Sequence, residues 1–295
     1  MIAVKLMGGL ANQMFQYATG RNLSIKNRTE LKLDAVSYFE NQPAENTPRH
    51  YELNVYPIKA TLMTREELKL VGADDQKRRG WRPRLIKPQP LVQFDEQTSE
   101  YQSFQPAFFN QPDNAYLVGH WQNEKYFKDI REELLKELTP KTFTPYTQGV
   151  LKEIAKTPSI ALHVRRGDYV TNKHANKFHG LMSVSYYRKA LSLIHKQTGL
   201  ARVVVVSDDI AWCRRNLGLD KDTLFVDGNP TIRACEDIYI MRHCQHNIIA
   251  NSSFSWWPAW LNSNPSKIVI APKDWFKDKQ ANQKMHIVPE DWIRL

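Results

Sequence analysis

The chain has 295 residues, enough for two ordinary domains, and its 42% hydrophobic content excludes disorder as the default state. Its three cysteines show no C-x-x-C spacing, which argues against a disulfide framework or a zinc site, and no apolar run approaches the roughly 18 residues of a membrane span. The net charge of +10 favours anionic partners without choosing among phosphorylated ligands, nucleic acid and acidic membranes. We therefore expect a soluble, cytoplasmic protein.

The first half of the chain opens with the pattern of a strand, a turn, a helix and a second strand. Apolar residues 2–6 predict the first strand, Gly8-Gly9 the turn, and the sequence from about Asn12 toward Asn27 the helix. Residues 30–34 predict the second strand. From residue 36 to 115 the sequence is irregular and rich in Pro, Gln and Asn, so no element is predicted there.

The second half alternates short apolar strands with helical patterns, which indicates a parallel sheet flanked by helices. The predicted strands are residues 160–164, 203–206, 224–226, 247–250 and 268–270. One intervening helix is predicted to run through Asp237, Met241 and Cys244, whose spacing puts them on one face toward the sheet. A connector over 138–145 places a domain boundary near residue 145. The sequence therefore predicts an α/β fold with domains 1–145 and 146–295.

Polar residues follow most of these strands at the point where each strand ends. They are Arg165-Arg166-Gly167-Asp168, Ser207-Asp208-Asp209, Asp227-Gly228-Asn229 and Asn251-Ser252-Ser253. Ligands of parallel sheets bind beyond the carboxyl ends of the strands, so this convergence predicts a site. The alternative is that polar loops follow the strands of any sheet.

The types of residue at these strand ends suit a phosphate group. Arg165 and Arg166 present planar forks of donors that never deprotonate. Ser252 and Ser253 precede a predicted helix, where hydroxyls and backbone amides can hold phosphate oxygens or simply cap the helix. Asp208-Asp209 lacks D-x-D spacing and a nearby His or Glu, which disfavours a metal site.

Four segments together resemble the α-1,2-fucosyltransferase family, glycosyltransferase family 11. They are Met7 to Tyr17, with Ala11 where the family usually has glycine; His163 to Tyr169; Ser207-Asp208-Asp209 with Trp212-Cys213; and Asp237 through Asn251 to Trp257. The second segment also resembles, in looser form, a motif of the protein O-fucosyltransferases and the core α-1,6-fucosyltransferase. The combination of all four is specific, although no single segment is.

This resemblance implies a GT-B-like fold, with two facing Rossmann-like domains and GDP-fucose in the cleft. The C-terminal domain is expected to bind most of the donor and the N-terminal domain to lie on the acceptor side. By position, Arg165 matches an arginine that contacts the donor phosphates, Asp237 an aspartate placed for the guanosine, and Ser253 a serine near the phosphates. Asn12 matches a polar residue near the donor. The matching motifs add His163, Arg166, Ser207, Asp208, Ser252 and Phe254 to the predicted donor-binding set.

The implied reaction is inverting transfer of L-fucose from GDP-fucose to the 2-hydroxyl of a terminal β-galactoside, on an oligosaccharide or a surface polysaccharide, with no metal or other cofactor. Some relatives use a glutamate as general base where this chain has Lys173. Asp168 and His179 are the remaining candidates for this proton acceptor. Asp168 could instead pair with its neighbouring arginines, and His179 could instead contact the donor or be structural.

Two alternatives to this reaction differ in class. The nearer one is a transferase that uses another GDP-sugar or forms another fucosyl linkage. The more distant one is a basic nucleic-acid-binding protein, motivated by the charge and the tryptophans, although no nucleic-acid motif is present. Much of the excess positive charge lies in residues 77–87, whose Pro and Gly content predicts a loop that meets solvent or the anionic inner face of a membrane.

Overall fold

The computed structural model describes residues 1–39, 48–69, 90–96, 104–171, 180–199, 201–227 and 234–295. It divides into two compact units, Met1–Leu138 and Thr139–Leu295. The division falls at the start of the connector 138–145. The basic segment 77–87 and His179 lie outside the described residues, so their predicted roles stay predictions.

The unit Met1–Leu138 is built on a five-stranded parallel sheet with the order β3-β2-β1-β5-β4. Its strands are β1 (Ile2–Lys5), β2 (Leu31–Asp34), β3 (Thr61–Leu62), β4 (Val92–Asp95) and β5 (Ala115–Val118). Its α-helices are α1 (Leu10–Lys26), α2 (Arg65–Leu68) and α3 (Arg131–Glu137), with short 3-10 turns at Val36–Tyr38, Leu53–Val55, Pro106–Asn110, Glu124–Tyr126 and Lys128–Ile130.

Helix α1 packs closely on this sheet. A Cβ on Gly20 would lie 2.4 Å from a methyl group of Val4, so the helix approaches β1 only because this residue has no side chain. The other side of α1 is tied to α3 by Arg21, whose Nη2 lies 2.9 Å from Glu137 Oε1. Tyr17 donates a hydrogen bond to the same carboxylate. Helix α1 is thereby held against both β1 and α3.

The unit Thr139–Leu295 contains a six-stranded parallel sheet with the order β8-β7-β6-β9-β10-β11. Its strands are β6 (Ser159–Val164), β7 (Arg202–Ser207), β8 (Leu224–Phe225), β9 (His246–Ile248), β10 (Val269–Ala271) and β11 (Ile293–Arg294). Its helices are α4 (Pro145–Ile154), α5 (Gly167–Thr171), α6 (Val184–Thr198), α7 (Ile210–Asn216), α8 (Ala234–Arg242), α9 (Ser253–Leu261) and α10 (Lys279–Lys284). Counted within the unit, this is the 3-2-1-4-5-6 order of doubly wound nucleotide-binding sheets.

Both faces of β6 are covered, because alternate residues enter separate apolar clusters. Ile160, Leu162 and Val164 pack with Tyr187 of α6, whereas Ala161 packs with Met241 of α8. A strand buried on both sides reads as a continuous apolar run, and this is why the sequence identified it. The predicted α/β class and parallel sheet are confirmed, and the predicted strands lie within one or two residues of those observed.

One predicted detail was wrong. The helix through Asp237 ends at Arg242, so Cys244 lies beyond it, although Met241 and Cys244 are both buried in one cluster. Strands β3, β4, β5 and β11 were not predicted.

Among the described residues, no helix has the length and apolarity needed to cross a bilayer. Six tryptophans, Trp121, Trp256, Trp257, Trp260, Trp275 and Trp292, are buried, so they are not available as a stacking surface for nucleic acid.

Candidate functional site

Two predicted site segments of the second unit lie where its strand order reverses, between β6 and β9. Arg165-Arg166-Gly167 leaves the carboxyl end of β6, and Asn251 to Ser253 follows β9. The Tyr169 hydroxyl donates to the Asn251 carbonyl oxygen at 3.2 Å and so joins the two loops. Open parallel sheets bind ligands in the crevice at such a reversal.

Asp208, after β7, holds the arginine turn together. Its Oδ1 accepts the Arg166 backbone N–H at 2.8 Å, and its Oδ2 lies 2.8 Å from Arg165 Nη1. A Cβ on Gly167 would lie 2.5 Å from the same Oδ2. Glycine at this position therefore permits the close approach of the carboxylate, and the motif residue Asp208 pairs with the two arginines.

Arg166 is fixed by its own chain on both sides of its guanidinium. Nε donates to Asp209 Oδ2 at 3.1 Å, and the guanidinium carbon lies 4.0 Å from the ring centre of Trp212. Asp209 also accepts the Trp212 N–H at the start of α7, and this backbone hydrogen bond, with Arg166 adding to it, lowers the pKa of the carboxyl. Ser207 Oγ in turn accepts the Asp209 N–H at 2.9 Å. These contacts make Arg166, Asp209 and Ser207 a support for the turn.

Arg165 is placed differently from Arg166. Its side chain is one quarter exposed, and its guanidinium lies 5.5 Å from the ring centre of Tyr169, near enough for a weak cation–π contact. Its ion pair with Asp208 is partly open to solvent, so the pair contributes little stability. Of the two arginines, Arg165 is the better placed to meet a ligand anion.

The two serines at the start of α9 have different roles. Ser252 is buried and is the N-cap, because its Oγ accepts the Phe254 N–H at 3.3 Å. Ser253 is half-buried and is the first residue of α9. The capping alternative therefore accounts for Ser252, whereas the Ser253 hydroxyl stands at the positive end of the helix dipole.

His163 lies beneath this turn within β6. Its ring centre is 5.3 Å from that of Phe254, and it is 3% exposed. Burial, helped by the charge of Arg165, lowers the pKa of His163 to about 3, so the imidazole is neutral at physiological pH. The rings of His163 and Phe254 form an uncharged surface behind Arg165. Contact of either ring with a donor stays a prediction.

Asp237 lies in the first turn of α8 and is half-buried. Burial, with the neighbouring charge of Glu236 adding to it, raises the pKa of Asp237 to about 7. Glu236 itself is held by the Thr144 hydroxyl at 2.6 Å and by Thr147. Asp237 is therefore a carboxyl group whose charge at neutral pH depends on what it contacts.

The remaining predicted residues are Asp168, His179 and Asn12. The side chain of Asp168 in α5 is outside the description, as is all of His179. Asn12 belongs to the first unit, where its Oδ1 accepts from Gln122 Nε2 at 2.8 Å. The supporting roles of Tyr169 and Trp212 were not predicted, although both residues stood inside the quoted motifs.

A metal role for Asp208 and Asp209 finds no support in their contacts. Both carboxylates are engaged by arginines, and within the described ranges no group of three or more His, Cys, Asp or Glu side chains gathers. That the reaction needs no metal stays a prediction.

A parallel sheet of this order, with an arginine and a helix N-terminus at its reversal, is the arrangement of α/β proteins that bind phosphate groups. The guanidinium and the helix end supply positive charge, and the buried ring pair behind them adds none. The chain belongs to glycosyl transferase family 11, whose family model matches residues 1–295.

Three curated relatives show how far the similarity extends. An α-1,2-colitosyltransferase of Escherichia coli is 31% identical over 299 residues, covering 100% of this chain and 98% of the relative. The O-antigen biosynthesis glycosyltransferase WbnK of E. coli is 33% identical and covers 98% of this chain and 99% of the relative. The galactoside 2-α-L-fucosyltransferase SEC1 of Bos taurus is 28% identical over 152 residues, 49% of this chain and 41% of the relative.

Proposed function

We propose that this chain is an inverting fucosyltransferase that moves L-fucose from GDP-fucose to the 2-hydroxyl of a terminal β-galactoside, on an oligosaccharide or a surface polysaccharide. The observation that carries the proposal is the position of the Arg165 guanidinium and the start of α9 at the reversal of the six-stranded sheet. Family 11 membership and the bovine galactoside 2-α-L-fucosyltransferase support fucose and the galactoside. The O-antigen relative supports a polysaccharide acceptor.

The mechanism follows from the charge that develops on the leaving group. The acceptor hydroxyl attacks the anomeric carbon from the face opposite GDP, and negative charge grows on the departing diphosphate. Arg165 and the start of α9 at Ser253 would stabilise that charge. Arg166, held by Asp209 and Trp212, would keep the turn rigid so that little reorganisation is needed.

The two units would act as facing domains, with the donor bound mainly by the second. Asp237 would accept hydrogen bonds from the guanine N–H groups, and His163 and Phe254 would pack behind the phosphates. Asn12 would contribute from the first unit. This division is supported by the separate sheets and by the motif resemblance.

The general base that accepts the proton of the acceptor hydroxyl has two candidates. Asp168 and His179 stay the candidates for the general base, and comparison of Asp168→Asn and His179→Ala by turnover addresses them.

We expect full activity in EDTA, because guanidinium and helix-dipole charge would take the place of a cation. Loss of activity in EDTA that Mn²⁺ restores would contradict this.

A second candidate function is transfer of another sugar from a GDP donor. The observation that favours it is the full-length similarity to an α-1,2-colitosyltransferase. Fucose and colitose donors place the same diphosphate at Arg165, so the site described above does not separate them.

The decisive experiment is incubation of the purified chain with GDP-fucose and lactose, followed by NMR determination of the product linkage. We expect an α-1,2-fucosyl galactoside. A parallel incubation with GDP-colitose tests the second candidate, and a product with another linkage would overturn the stated acceptor position. Oligonucleotide binding that falls steeply with salt, in the absence of transfer, would favour the nucleic-acid alternative.

A further inference from the structure

The helices on the two faces of the six-stranded sheet differ in charge. Helices α6 and α7 pack on one face, through Tyr187 and Cys213. Helices α4 and α8 pack on the other, through Val150 and Met241. Helices α6 and α7 carry five Lys and Arg side chains and no Asp or Glu, whereas α4 and α8 contain both signs of charge. The two helical layers therefore present different charge to their surroundings.

Most of the cations on α6 and α7 are exposed without a carboxylate partner. Arg214 is the exception, because its Nη2 lies 2.6 Å from Asp227 Oδ2. In the described part of the chain, the cations that form no ion pair are Arg188, Lys189, Lys196 and Arg215, which we call the basic face. Arg188 Nε donates to the carbonyl oxygen of Leu217 at 3.2 Å, which joins α6 to the end of α7 and leaves the charge of Arg188 uncompensated by an acid.

A shallow groove of about 450 Å³ lies along the exposed side of α6. Its lining residues are Arg188, Lys189, Ser192, Leu193, Lys196 and Leu295. Leu295 is fixed beside the helix by its main chain, because its N–H donates to the Ala271 oxygen at 3.0 Å and its oxygen accepts the Lys273 N–H at 2.7 Å. Within the described ranges Leu295 forms no ion pair with the cations of the groove. Its side chain is 40% exposed, so an apolar group stands among those cations.

The side chains of this groove suit an anionic membrane better than a nucleic acid. A surface that binds nucleic acid without sequence preference stacks the bases on aromatic rings, and none of the described residues that line the groove is aromatic. Lys and Arg attract anionic lipid headgroups, and their long apolar stems lie readily at the boundary of the acyl chains. Contact of an exposed leucine with lipid is favourable, because it removes apolar surface from water. Cations around an exposed leucine therefore indicate a lipid surface as the partner.

We propose that α6 and α7 form a docking surface for a membrane that contains anionic phospholipid, in which the basic face meets lipid phosphates and Leu295 meets the acyl chains. This surface is distinct from the Arg165 turn, because it lies on helices that cover a face of the sheet, whereas the turn follows the end of a strand. It is also distinct from the basic segment 77–87. The inference does not depend on the proposed function, so either can fail alone.

The test measures sedimentation of the chain with vesicles made of equal amounts of phosphatidylglycerol and phosphatidylcholine, and with vesicles of phosphatidylcholine alone. Two parent chains are used, the wild type and one in which every Lys and Arg of 77–87 is glutamine, so that binding by that segment is measured separately. We expect both parents to bind the phosphatidylglycerol vesicles, to be released by high salt, and not to bind phosphatidylcholine. Absence of vesicle binding by the second parent would overturn the proposal.

Lys189→Gln with Lys196→Gln, made in both parents, removes two exposed cations of the groove. We expect the affinity for phosphatidylglycerol vesicles to fall about thirtyfold, as for the loss of two cations near an anionic surface. The matched control is Lys152→Gln with Lys156→Gln, which removes the same charge from α4 and the turn that follows it. The affinity of the control should stay within about threefold of its parent. Equal losses in the two double variants would show that net charge alone matters, and would overturn the docking surface.

Leu295→Ser tests whether the partner is lipid. We expect it to weaken vesicle binding about fivefold, because part of the burial of one leucine is lost, and to leave binding of a single-stranded oligonucleotide unchanged. Thermal melting checks the fold of every variant, and Lys189→Gln with Arg215→Gln replaces the first double variant if that one melts early. Vesicle binding that Leu295→Ser leaves unchanged, or oligonucleotide binding of equal affinity that the first double variant also weakens, would overturn lipid as the partner.

Discussion

The two units place different chemistry at corresponding points of two parallel sheets. In the second unit Arg165 and Arg166, with the carboxylate of Asp208, follow strands at the reversal of the strand order, which is where open sheets bind ligands. In the first unit, whose order β3-β2-β1-β5-β4 places the last strand beside the first, the amides of Gln122 and Asn12 meet beyond β5 and β1. The comparison teaches that a few residues after each strand, rather than the sheet, determine the charge at the strand ends.

Removal of Arg165 should break the charged side of this comparison and have the largest effect. Arg165→Ala takes away the guanidinium proposed to stabilise the departing diphosphate, which costs roughly 3 kcal/mol, or more than a hundredfold in kcat. The measurement is turnover with GDP-fucose and lactose. Arg215→Ala is the matched control, because Arg215 is an exposed cation on α7. Activity of Arg165→Ala within tenfold of wild type would contradict the assignment.

Gly167→Ala should distort the same turn without removing any charge. The new Cβ would lie 2.5 Å from Asp208 Oδ2, so the carboxylate has to leave the Arg166 N–H or the turn has to shift. We expect about a tenfold loss of kcat/KM, since misplacement of a catalytic group by about 1 Å can cost more than that. Gly149→Ala is the control, because nothing lies within 4 Å of that Cβ in α4. A helix-interior Gly→Ala change should stabilise the fold by roughly 0.5–1 kcal/mol, and equal activities would count against the turn's role.

Asp237→Asn should change how GDP affinity depends on pH, and so sharpen the comparison of the two units. The pKa of Asp237 is raised from 3.8 to about 7, so its carboxyl gains charge as the pH rises from 6 to 8. If the carboxylate accepts guanine N–H groups, GDP affinity of wild type should increase up to about tenfold over that range, following the charged fraction. The asparagine variant should show a flatter profile, and Asp220→Asn, an exposed control on the same unit, should follow wild type. Parallel profiles for wild type and Asp237→Asn by calorimetry would exclude this contact.

The same substitution has a consequence for stability whose sign is fixed. Between pH 4 and 7 the folded chain retains a proton on Asp237 that the unfolded chain has released, so ionisation costs more in the folded state. This contribution lowers the free energy of unfolding as the pH rises through that window. Asp237→Asn should remove that loss, and urea titrations at pH 5 and pH 8 measure the difference.

The sequence was informative where strands are buried on both faces and silent where they are short and exposed. Residues 203–206 form an uninterrupted apolar run because β7 is covered on both sides, and they were predicted as a strand. Strand β4 leaves Val92 46% exposed and has no alternation to detect. Strand β11, Ile293–Arg294, spans two residues, too few for any periodicity. Tertiary pairing, which local pattern does not encode, defines both of these elements.

Prediction of the site residues was also limited to what local sequence pattern shows. Arg165, Asp208 and Ser253 could be selected because they directly follow predicted strands, and the structure brings them to neighbouring strand ends. Their division of labour could not be read from the sequence, because the pairing of Arg166 with Asp209 spans 43 residues. The contacts of Glu96 with the backbone N–H groups of His120 and Trp121 were missed, since Glu96 lies in a region that shows no local pattern.

The carboxylate of Asp208 beside Arg165 has a consequence for ligand exchange. The carboxylate competes with other anions for the guanidinium. Because it belongs to the same chain, its effective concentration is high, and a small anion in solution competes only when that anion is abundant. A free phosphate ion therefore gains little by approaching the guanidinium. A ligand that also makes contacts elsewhere can displace the carboxylate and return the guanidinium to it on departure. If a nucleotide diphosphate binds at Arg165 as proposed, its release is an exchange of partners in which Arg165 regains a counter-charge within its own chain.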